Sequence, residues 1–94
     1  MPYTLLISYD IADNDRRGEI SDLLAAHGAR IQYSVFDVTL PTKKEVQRLR
    51  GALRKLIDRD EDQIRLYPLP ATTLNELIIL GNRRLEKRAD FWIV

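Results

Sequence analysis

The sequence predicts an α+β sandwich in which two helices cover one face of a β-sheet and leave the other face without helices. Apolar runs with a period of two alternate with runs whose apolar residues recur at helical spacing. Their order along the chain is strand, helix, two strands, helix, strand, which is the βαββαβ order of a ferredoxin-like domain. The length of 94 residues fits one domain. We therefore expect residues 1–94 to form a single ferredoxin-like domain.

The first strand is predicted over residues 3–9, an apolar, β-branched and aromatic run, and the first helix follows it. Alternation places the odd-numbered strand residues on a core face. The even-numbered residues, with Asp10, lie on a mixed face that the chain's own helices do not cover. The Asp-Asn-Asp run at residues 13–15 supplies N-cap candidates and first-turn acids. From there we expect a helix through His27, which joins its apolar stripe, with Gly28 as the C′ residue.

The rest of the sheet is predicted from a break in the alternation and from a proline. Residues 30–40 change parity at Ser34–Phe36, which predicts a bulge or a tight break between two strands. A Thr-x-x-Glu capping box at residues 42–45 opens the second helix. Its apolar stripe consists of Val46, Leu49, Leu53, Leu56 and Ile57. Residues 63–69 are predicted as a strand, and Pro68 favours a sheet edge because proline cannot donate to the ladder.

Two apolar segments, residues 77–80 and 91–94, are predicted as short strands after the βαββαβ unit. Thr73 and Glu76 stand at capping-box spacing, so a helical turn within residues 72–80 is an alternative. An exposed apolar terminus is a liability, and a sheet face without helices needs a cover. We therefore expect the terminal segment to dock on an edge strand of its own or of a second subunit, with a homodimer as the solution.

The composition excludes several classes of function. The absence of cysteine excludes a disulfide scaffold, a zinc knuckle and a thiol nucleophile, and the single His27 excludes multi-histidine metal sites. The sequence has no Gly-x-Ser-x-Gly elbow and no glycine-rich phosphate loop. No apolar run is long enough to span a membrane, and no secretory signal is visible, so we expect a cytoplasmic protein without membrane contact.

Asp10 is the first candidate for chemistry. It ends a strand on the open sheet face, where its carboxylate is placed to hold a hard metal ion, although from spacing alone a turn or a cap for the following helix is the simpler explanation. Asp13 and Asp15 are better explained as helix-capping acids. A single carboxylate is a weak magnesium site. A two-fold axis that joined two copies of Asp10 would create a shared site for one ion against a phosphodiester, and the ion would lower the pKa of its bound water.

Basic residues are the second feature. Arg16 and Arg17 lie in the first turn of a helix, where positive charge opposes the macrodipole, so they are either phosphate contacts or a solvated pair. Residues 43–59 contain seven basic and two acidic side chains, and residues 83–88 hold a second basic cluster. In a dimer these clusters form a track for a nucleic-acid backbone, unless they are ordinary solvated helix faces. Residues 58–62 are predicted as a charged turn.

Several motifs together resemble the CRISPR-associated protein 2 family, over nearly all of the chain. They are Tyr9-Asp10-Ile11, Asp15-Arg16-Arg17, residues 30–36, residues 64–69, and Leu80-Gly81 before a hydrophobic C-terminus. The resemblance implies a ferredoxin-like homodimer whose open sheet faces meet, with residues 77–94 extending across the dimer. It implies a Mg²⁺-dependent endonuclease acting on single-stranded RNA or double-stranded DNA, which bridges dimers of the CRISPR integrase during spacer acquisition.

The resemblance also implies roles for single residues. Asp10 is the catalytic metal ligand, Tyr9 and Phe36 are its neighbours, Arg16, Arg17 and Arg30 are phosphate contacts, and Ser34 lies in a Gln-x-Ser-x-Phe stretch. From the residues alone, Phe36 either stacks on a ligand or belongs to the core. Two other functions remain open: a non-catalytic DNA-binding scaffold of the integrase complex, and, by analogy of fold, an RNA-binding or regulatory domain.

Overall fold

One antiparallel sheet organises the computed structural model, which describes residues 2–81. The elements are β1 (Tyr3–Asp10), α1 (Asn14–Ala25), β2 (Gly28–Gln32), β3 (Val35–Leu40), α2 (Lys43–Leu56), β4 (Gln63–Leu69) and α3 (Ala71–Asn75). The strand order is β2-β3-β1-β4, and β1 pairs antiparallel with both β3 and β4. This order and the βαββαβ succession confirm the ferredoxin-like α+β prediction.

The two faces of β1 differ as its alternation predicts. Leu5, Ile7 and Tyr9 are buried in the core. Their partners there come from both helices and from β3, namely Ile20, Leu24, Leu49, Leu53, Phe36, Val38 and Leu40, together with Ile11. On the opposite face Ser8 is half-buried and Asp10 is exposed. Asp10 therefore lies on the sheet face that no described helix covers.

The predicted phase slip is a tight turn combined with a register shift. β2 ends at Gln32 and β3 begins at Val35, so residues 33 and 34 form the turn. The pairing of the two strands shifts between Arg30 and Gln32. The turn is tied to β1, since the amide of Tyr9 donates to the carbonyl oxygen of Ser34 at 3.0 Å.

The predicted end of α1 is wrong. The helix ends at Ala25, His27 is exposed and so does not join the apolar stripe, and Gly28 is the first residue of β2 rather than a C′ residue. Among residues 2–81 the glycine with positive φ is Gly81, so Gly28 does not supply a left-handed turn. A Cβ atom at Gly28 would lie 2.2 Å from the carbonyl oxygen of Asp37, so glycine is required there by close packing of two strands.

Caps and strand edges agree with the sequence. The Thr42 hydroxyl accepts from the amide of Glu45 at 3.2 Å, and the Asp13 carboxylate accepts from the amide of Arg16 at 2.9 Å. β4 covers the predicted residues and forms an edge of the sheet, with Pro68 opposite Leu5. The edge position of Pro68 is confirmed.

Residues 70–81 resolve the ambiguity in favour of a helical turn. α3 begins after Pro70, earlier than the Thr73–Glu76 spacing suggests, and ends at Asn75. The strand predicted for residues 77–80 is wrong within this chain, because these residues follow the helical turn and pair with no described strand. Their side chains are exposed, with Leu80 at 91%. The strand predicted at residues 91–94 lies outside the described residues. Between residues 2 and 81, no helix has the length and apolar character needed to cross a membrane.

Candidate active site

Asp10 stands at the last rung of the β1–β4 ladder. Its Cα partner is Gln63, the first residue of β4, and the neighbouring pair on the same face is Ser8 with Arg65. The Asp10 side chain is exposed and makes no hydrogen bond or ion pair within the part of the chain that the structure describes. An ionised carboxylate of this kind is an acceptor with open coordination positions, which suits a hard cation.

The segment after Asp10 is held on both sides of its backbone. Ile11 is buried, and its carbonyl oxygen accepts from Nη2 of Arg17 at 2.7 Å. The amide of Ala12 donates to Oδ1 of Asp62 at 3.0 Å. Arg17 and Asp62 therefore fix the backbone that follows Asp10, whose side chain makes no bond to residues 2–81.

Asp62 is a buried carboxylate that sequence reasoning missed. Its side chain has 0% exposure, although residues 58–62 are predicted as a charged turn. Its oxygens accept from the amides of Ala12 and Asp58 and from Nε and Nη2 of Arg16, at 2.8–3.2 Å. The Arg16 bonds, with those two amides and against desolvation, hold the pKa of Asp62 well below its usual range. The same contact raises the pKa of Arg16.

Arg16 and Arg17, predicted as phosphate contacts, both make intramolecular bonds. Arg16 binds Asp62 and also contacts Glu61 at 3.2 Å. Arg17 donates to the Ile11 carbonyl and to Oδ1 of Asn14. Both guanidinium groups therefore stabilise the start of α1. The only indication of this role in the sequence is their unfavourable position in the first turn, where a cation needs a compensating partner.

Tyr9, Phe36 and Arg30 lie on the helix-covered side of the sheet, away from Asp10. The rings of Tyr9 and Phe36 stack with centroids 6.3 Å apart, and Cζ of Arg30 lies 5.1 Å from the centroid of Phe36. The Tyr9 hydroxyl and Nη1 of Arg30 both donate to the carbonyl oxygen of Tyr33. Arg30 also donates to the hydroxyl of Ser21. This cluster fixes the β2–β3 turn, which contains Ser34.

Arg65 is a cation on the same sheet face as Asp10, and the sequence analysis assigned it no role. Its Nε donates to Oε1 of Gln63 at 3.0 Å, and its Nη1 donates to the Tyr67 hydroxyl at 3.2 Å. The Tyr67 contact raises the pKa of Arg65. Three polar side chains of β4 therefore form a row that begins opposite Asp10.

The outer surface of the helical layer is divided by charge. The exposed ionisable residues of α1 are acidic: Asp15, Glu19 and Asp22. Those of α2 are basic: Lys43, Lys44, Arg48, Arg50, Arg54 and Lys55. Of these, Arg48 forms an ion pair with the half-buried Glu45 at 2.8 Å. The second predicted basic cluster, residues 83–88, lies outside the described residues.

Metal ligands are sparse in the described structure. Within residues 2–81 no three or more acidic, histidine or cysteine side chains come together as a metal site. One copy of this region therefore offers Asp10 as an isolated candidate ligand, so the other donors of a tight cation site there would come from outside residues 2–81.

Comparison with known proteins places these features in one family. Residues 1–77 match the family described as CRISPR associated protein Cas2. The CRISPR-associated endoribonuclease Cas2 3 of Synechocystis sp. is 42% identical over 85 residues, which cover 90% of this chain and 91% of that protein. The crystal structure of Streptococcus pyogenes Cas2 at pH 6.5 matches with a TM-score of 0.72 and 28% identity, over 83% of this chain and 99% of that one. A chain of a partial Cas6-RT-Cas1–Cas2 complex matches with a TM-score of 0.73 and 26% identity, over 92% of this chain and 93% of its own length. The chain therefore belongs to the CRISPR-associated protein Cas2 family.

Proposed function

We propose that this protein is a Mg²⁺-dependent endonuclease of CRISPR spacer acquisition, acting in the cytoplasm as a homodimer with Asp10 as its catalytic residue. The observation that carries the proposal is the exposed Asp10 carboxylate, without an intramolecular partner among residues 2–81, at the fixed end of a strand. The Synechocystis relative is named an endoribonuclease, which supports phosphodiester hydrolysis as the reaction.

The donor set at Asp10 fits a magnesium ion that two copies of the chain share. Mg²⁺ is usually bound through one or two carboxylates, with water and phosphate oxygens at the remaining positions. When bound, the ion supplies Lewis acidity, which lowers the pKa of a bound water and offsets charge on the phosphodiester. Asp10 from each subunit holds the cation. Arg65, on the same sheet face as Asp10, is placed to contact a phosphate oxygen of the substrate.

The homodimer is supported by the surfaces that one copy leaves uncovered. The sheet face of Asp10 has no described helix over it, and residues 77–80 expose four successive apolar side chains. We propose that the open sheet faces of two copies meet and that residues 77–94 extend across the dimer. Analytical sedimentation measures whether the protein in solution has the mass of one chain or of two. Mixing wild type with excess Asp10→Ala lowers cleavage per wild-type subunit if the site is shared, and leaves it unchanged if each subunit works alone.

The catalytic role is tested by Asp10→Asn, with Asp15→Asn as a control that removes an exposed carboxylate from the first turn of α1. We expect Asp10→Asn to reduce Mg²⁺-dependent cleavage of single-stranded RNA or double-stranded DNA by about 10²-fold or more, with nucleic-acid binding retained. The control should cleave as wild type does, and chelation by EDTA should stop both. Equal cleavage by wild type and Asp10→Asn would exclude Asp10 as the catalytic residue.

Backbone binding is proposed for the basic surface of α2. Its exposed cations, apart from Arg48, make no hydrogen bond or ion pair within the described region. Arg16, Arg17 and Arg30 stay predicted phosphate contacts, although each makes intramolecular bonds. Replacing Lys44 and Lys55 by alanine should reduce the magnitude of the slope of log K for nucleic-acid binding against log salt concentration by about two. If the slope becomes shallower only in Arg16, Arg17 or Arg30 variants, the nucleic-acid backbone binds at those arginines and not at α2.

Assembly with the CRISPR integrase is proposed from the relative found in a partial Cas6-RT-Cas1–Cas2 complex. We expect a stable ternary assembly when this protein, its host's integrase and duplex DNA are mixed and sized. The non-catalytic scaffold is the second candidate, favoured because residues 2–81 of one chain contain no group of three metal ligands. Asp10→Asn distinguishes the two functions. The variant should still assemble with the integrase and DNA in either case, and it should lose a cleavage activity of the wild type only if the protein is the enzyme.

A further inference from the structure

We propose that Asp62 is a positioning residue for Asp10: together with Arg16 it holds the segment that directs the Asp10 carboxylate. This proposal rests on the function proposed above. Nothing in the sequence motifs marks Asp62, and its assignment comes from its burial and its bonds.

Asp62 can contact the segment after Asp10 because of its position at the end of the sheet. Asp10 and Gln63 form the last pair of the β1–β4 ladder, and Asp62 immediately precedes Gln63. Beyond that pair the backbones stop bonding to each other. The Asp62 side chain continues the connection, because its Oδ1 accepts from the amide of Ala12, two residues after Asp10.

The contact is rigid because a buried carboxylate must keep its partners. Asp62 has a fully buried side chain, and both of its oxygens bind Arg16 while each also accepts from a backbone amide. Leaving such a group unpaired costs the desolvation free energy of a charge. The amide of Ala12 is therefore held in one place relative to β4.

A second tie acts from the other side of the same segment. Arg17 donates to the Ile11 carbonyl, and the Ile11 side chain is buried in the core. The Asp10 side chain makes no hydrogen bond or ion pair to residues 2–81, so the direction of its carboxylate depends on this backbone. Metal ligands need support within about 0.5 Å, and loss of such support typically costs 10–100-fold in metal affinity or activity.

The test uses Mn²⁺ as a probe of the cation site, with binding measured by titration calorimetry and by electron paramagnetic resonance. We expect Asp62→Asn to weaken Mn²⁺ binding by about 10-fold or more, because an amide nitrogen cannot accept from the Asp58 amide and Arg16. The Mg²⁺ concentration for half-maximal cleavage should rise by a similar factor. Where Asp10→Asn weakens Mn²⁺ binding, an unchanged Mn²⁺ affinity in Asp62→Asn overturns the proposal.

Two controls separate positioning from loss of stability. Glu61→Gln removes the exposed carboxylate that also contacts Arg16, and it should bind Mn²⁺ as wild type does. Leu40→Ala creates a core defect at the other end of β1, opposite Tyr3. Measured while folded, Leu40→Ala should keep wild-type Mn²⁺ affinity, and a loss equal to that of Asp62→Asn would assign the effect to stability and refute positioning. If Asp62→Asn does not fold, Arg16→Lys, which keeps the charge but loses the two-pronged contact, takes its place.

Failure of the proposed function gives a different result. If Asp10→Asn binds Mn²⁺ as tightly as wild type, Asp10 is not the metal ligand, and the proposed catalysis fails. Positioning is then decided by amide hydrogen exchange at residues 10–12. Faster exchange in Asp62→Asn than in Leu40→Ala supports the tie between Asp62 and this segment, and equal exchange overturns it.

Discussion

Replacing Phe36 tests whether its ring belongs to the core or contacts nucleic acid. The side chain is 1% exposed, its ring stacks on Tyr9 at 6.3 Å, and Arg30 lies over it at 5.1 Å. Truncating a buried phenylalanine to alanine costs about 3–5 kcal/mol, whereas leucine, which fills most of the volume, costs about 1 kcal/mol. A chain of this length has roughly 5–14 kcal/mol of stability, so Phe36→Ala removes a large part of it.

Thermal unfolding and nucleic-acid binding together decide the matter. We expect Phe36→Leu to lower Tm by about 4–8 °C and Phe36→Ala by about 12 °C or more. Well below its Tm, Phe36→Leu should bind and cleave nucleic acid as wild type does, because the aromatic face is covered by Tyr9 and Arg30. A folded Phe36→Leu whose binding is tenfold weaker would refute the core assignment and restore Phe36 as a stacking residue.

Three other predictions follow from packing, capping and charge. Gly28→Ala should lower the free energy of unfolding by roughly 3 kcal/mol, since the added Cβ would lie 2.2 Å from a carbonyl oxygen. Gly51→Ala should raise it by about 1 kcal/mol, because no atom lies within 4 Å of the added Cβ. Urea unfolding measures both changes, and equal effects would contradict the close packing at Gly28. Thr42→Ala should cost about 1 kcal/mol in the same assay through loss of the α2 cap, and Thr42→Ser should restore it. Asp62 contributes stability above about pH 4, the unfolded pKa, and loses it as pH falls through its lower folded pKa. The Tm difference between wild type and Asp62→Asn should therefore narrow as pH falls below about 4, and a constant difference would contradict the ion pair.

Local patterns predicted the sheet well. The alternation of β1 gave its two faces, the Thr-x-x-Glu box gave the start of α2, and Pro68 gave the edge position of β4. Each of these signals depends on neighbours within a few residues. Gly28 was misassigned because its requirement is non-local: the group that excludes a side chain there is the backbone of Asp37, on another strand.

The alternation of β1 correctly predicted that Tyr9 and Asp10 lie on different faces, whereas the family motifs group them with Phe36 as one site. Tyr9 and Asp10 are neighbours in sequence, yet adjacent residues of a strand point to opposite faces, so they belong to the core and to the open face respectively. Phe36 follows Tyr9 because it packs on it across the sheet. A family motif names residues that occur together, whereas strand alternation and strand pairing show which of them share a surface.

Arg16 shows how a local conflict should be interpreted. A cation in the first turn of a helix opposes the macrodipole, and from the sequence this conflict indicates either a phosphate contact or a solvated pair. The compensating anion is Asp62, which stands 46 positions away in the chain and is brought to 2.8 Å by the β1–β4 pairing. Because the Asp62 carboxylate is buried, loss of Arg16 would leave it as an unpaired buried charge. A phosphate that binds Arg16 must therefore compete with an existing ion pair. Among residues 2–81, no buried carboxylate binds Arg65 or the exposed cations of α2, so under the proposed function we expect these side chains to be the more accessible contacts for a nucleic-acid backbone.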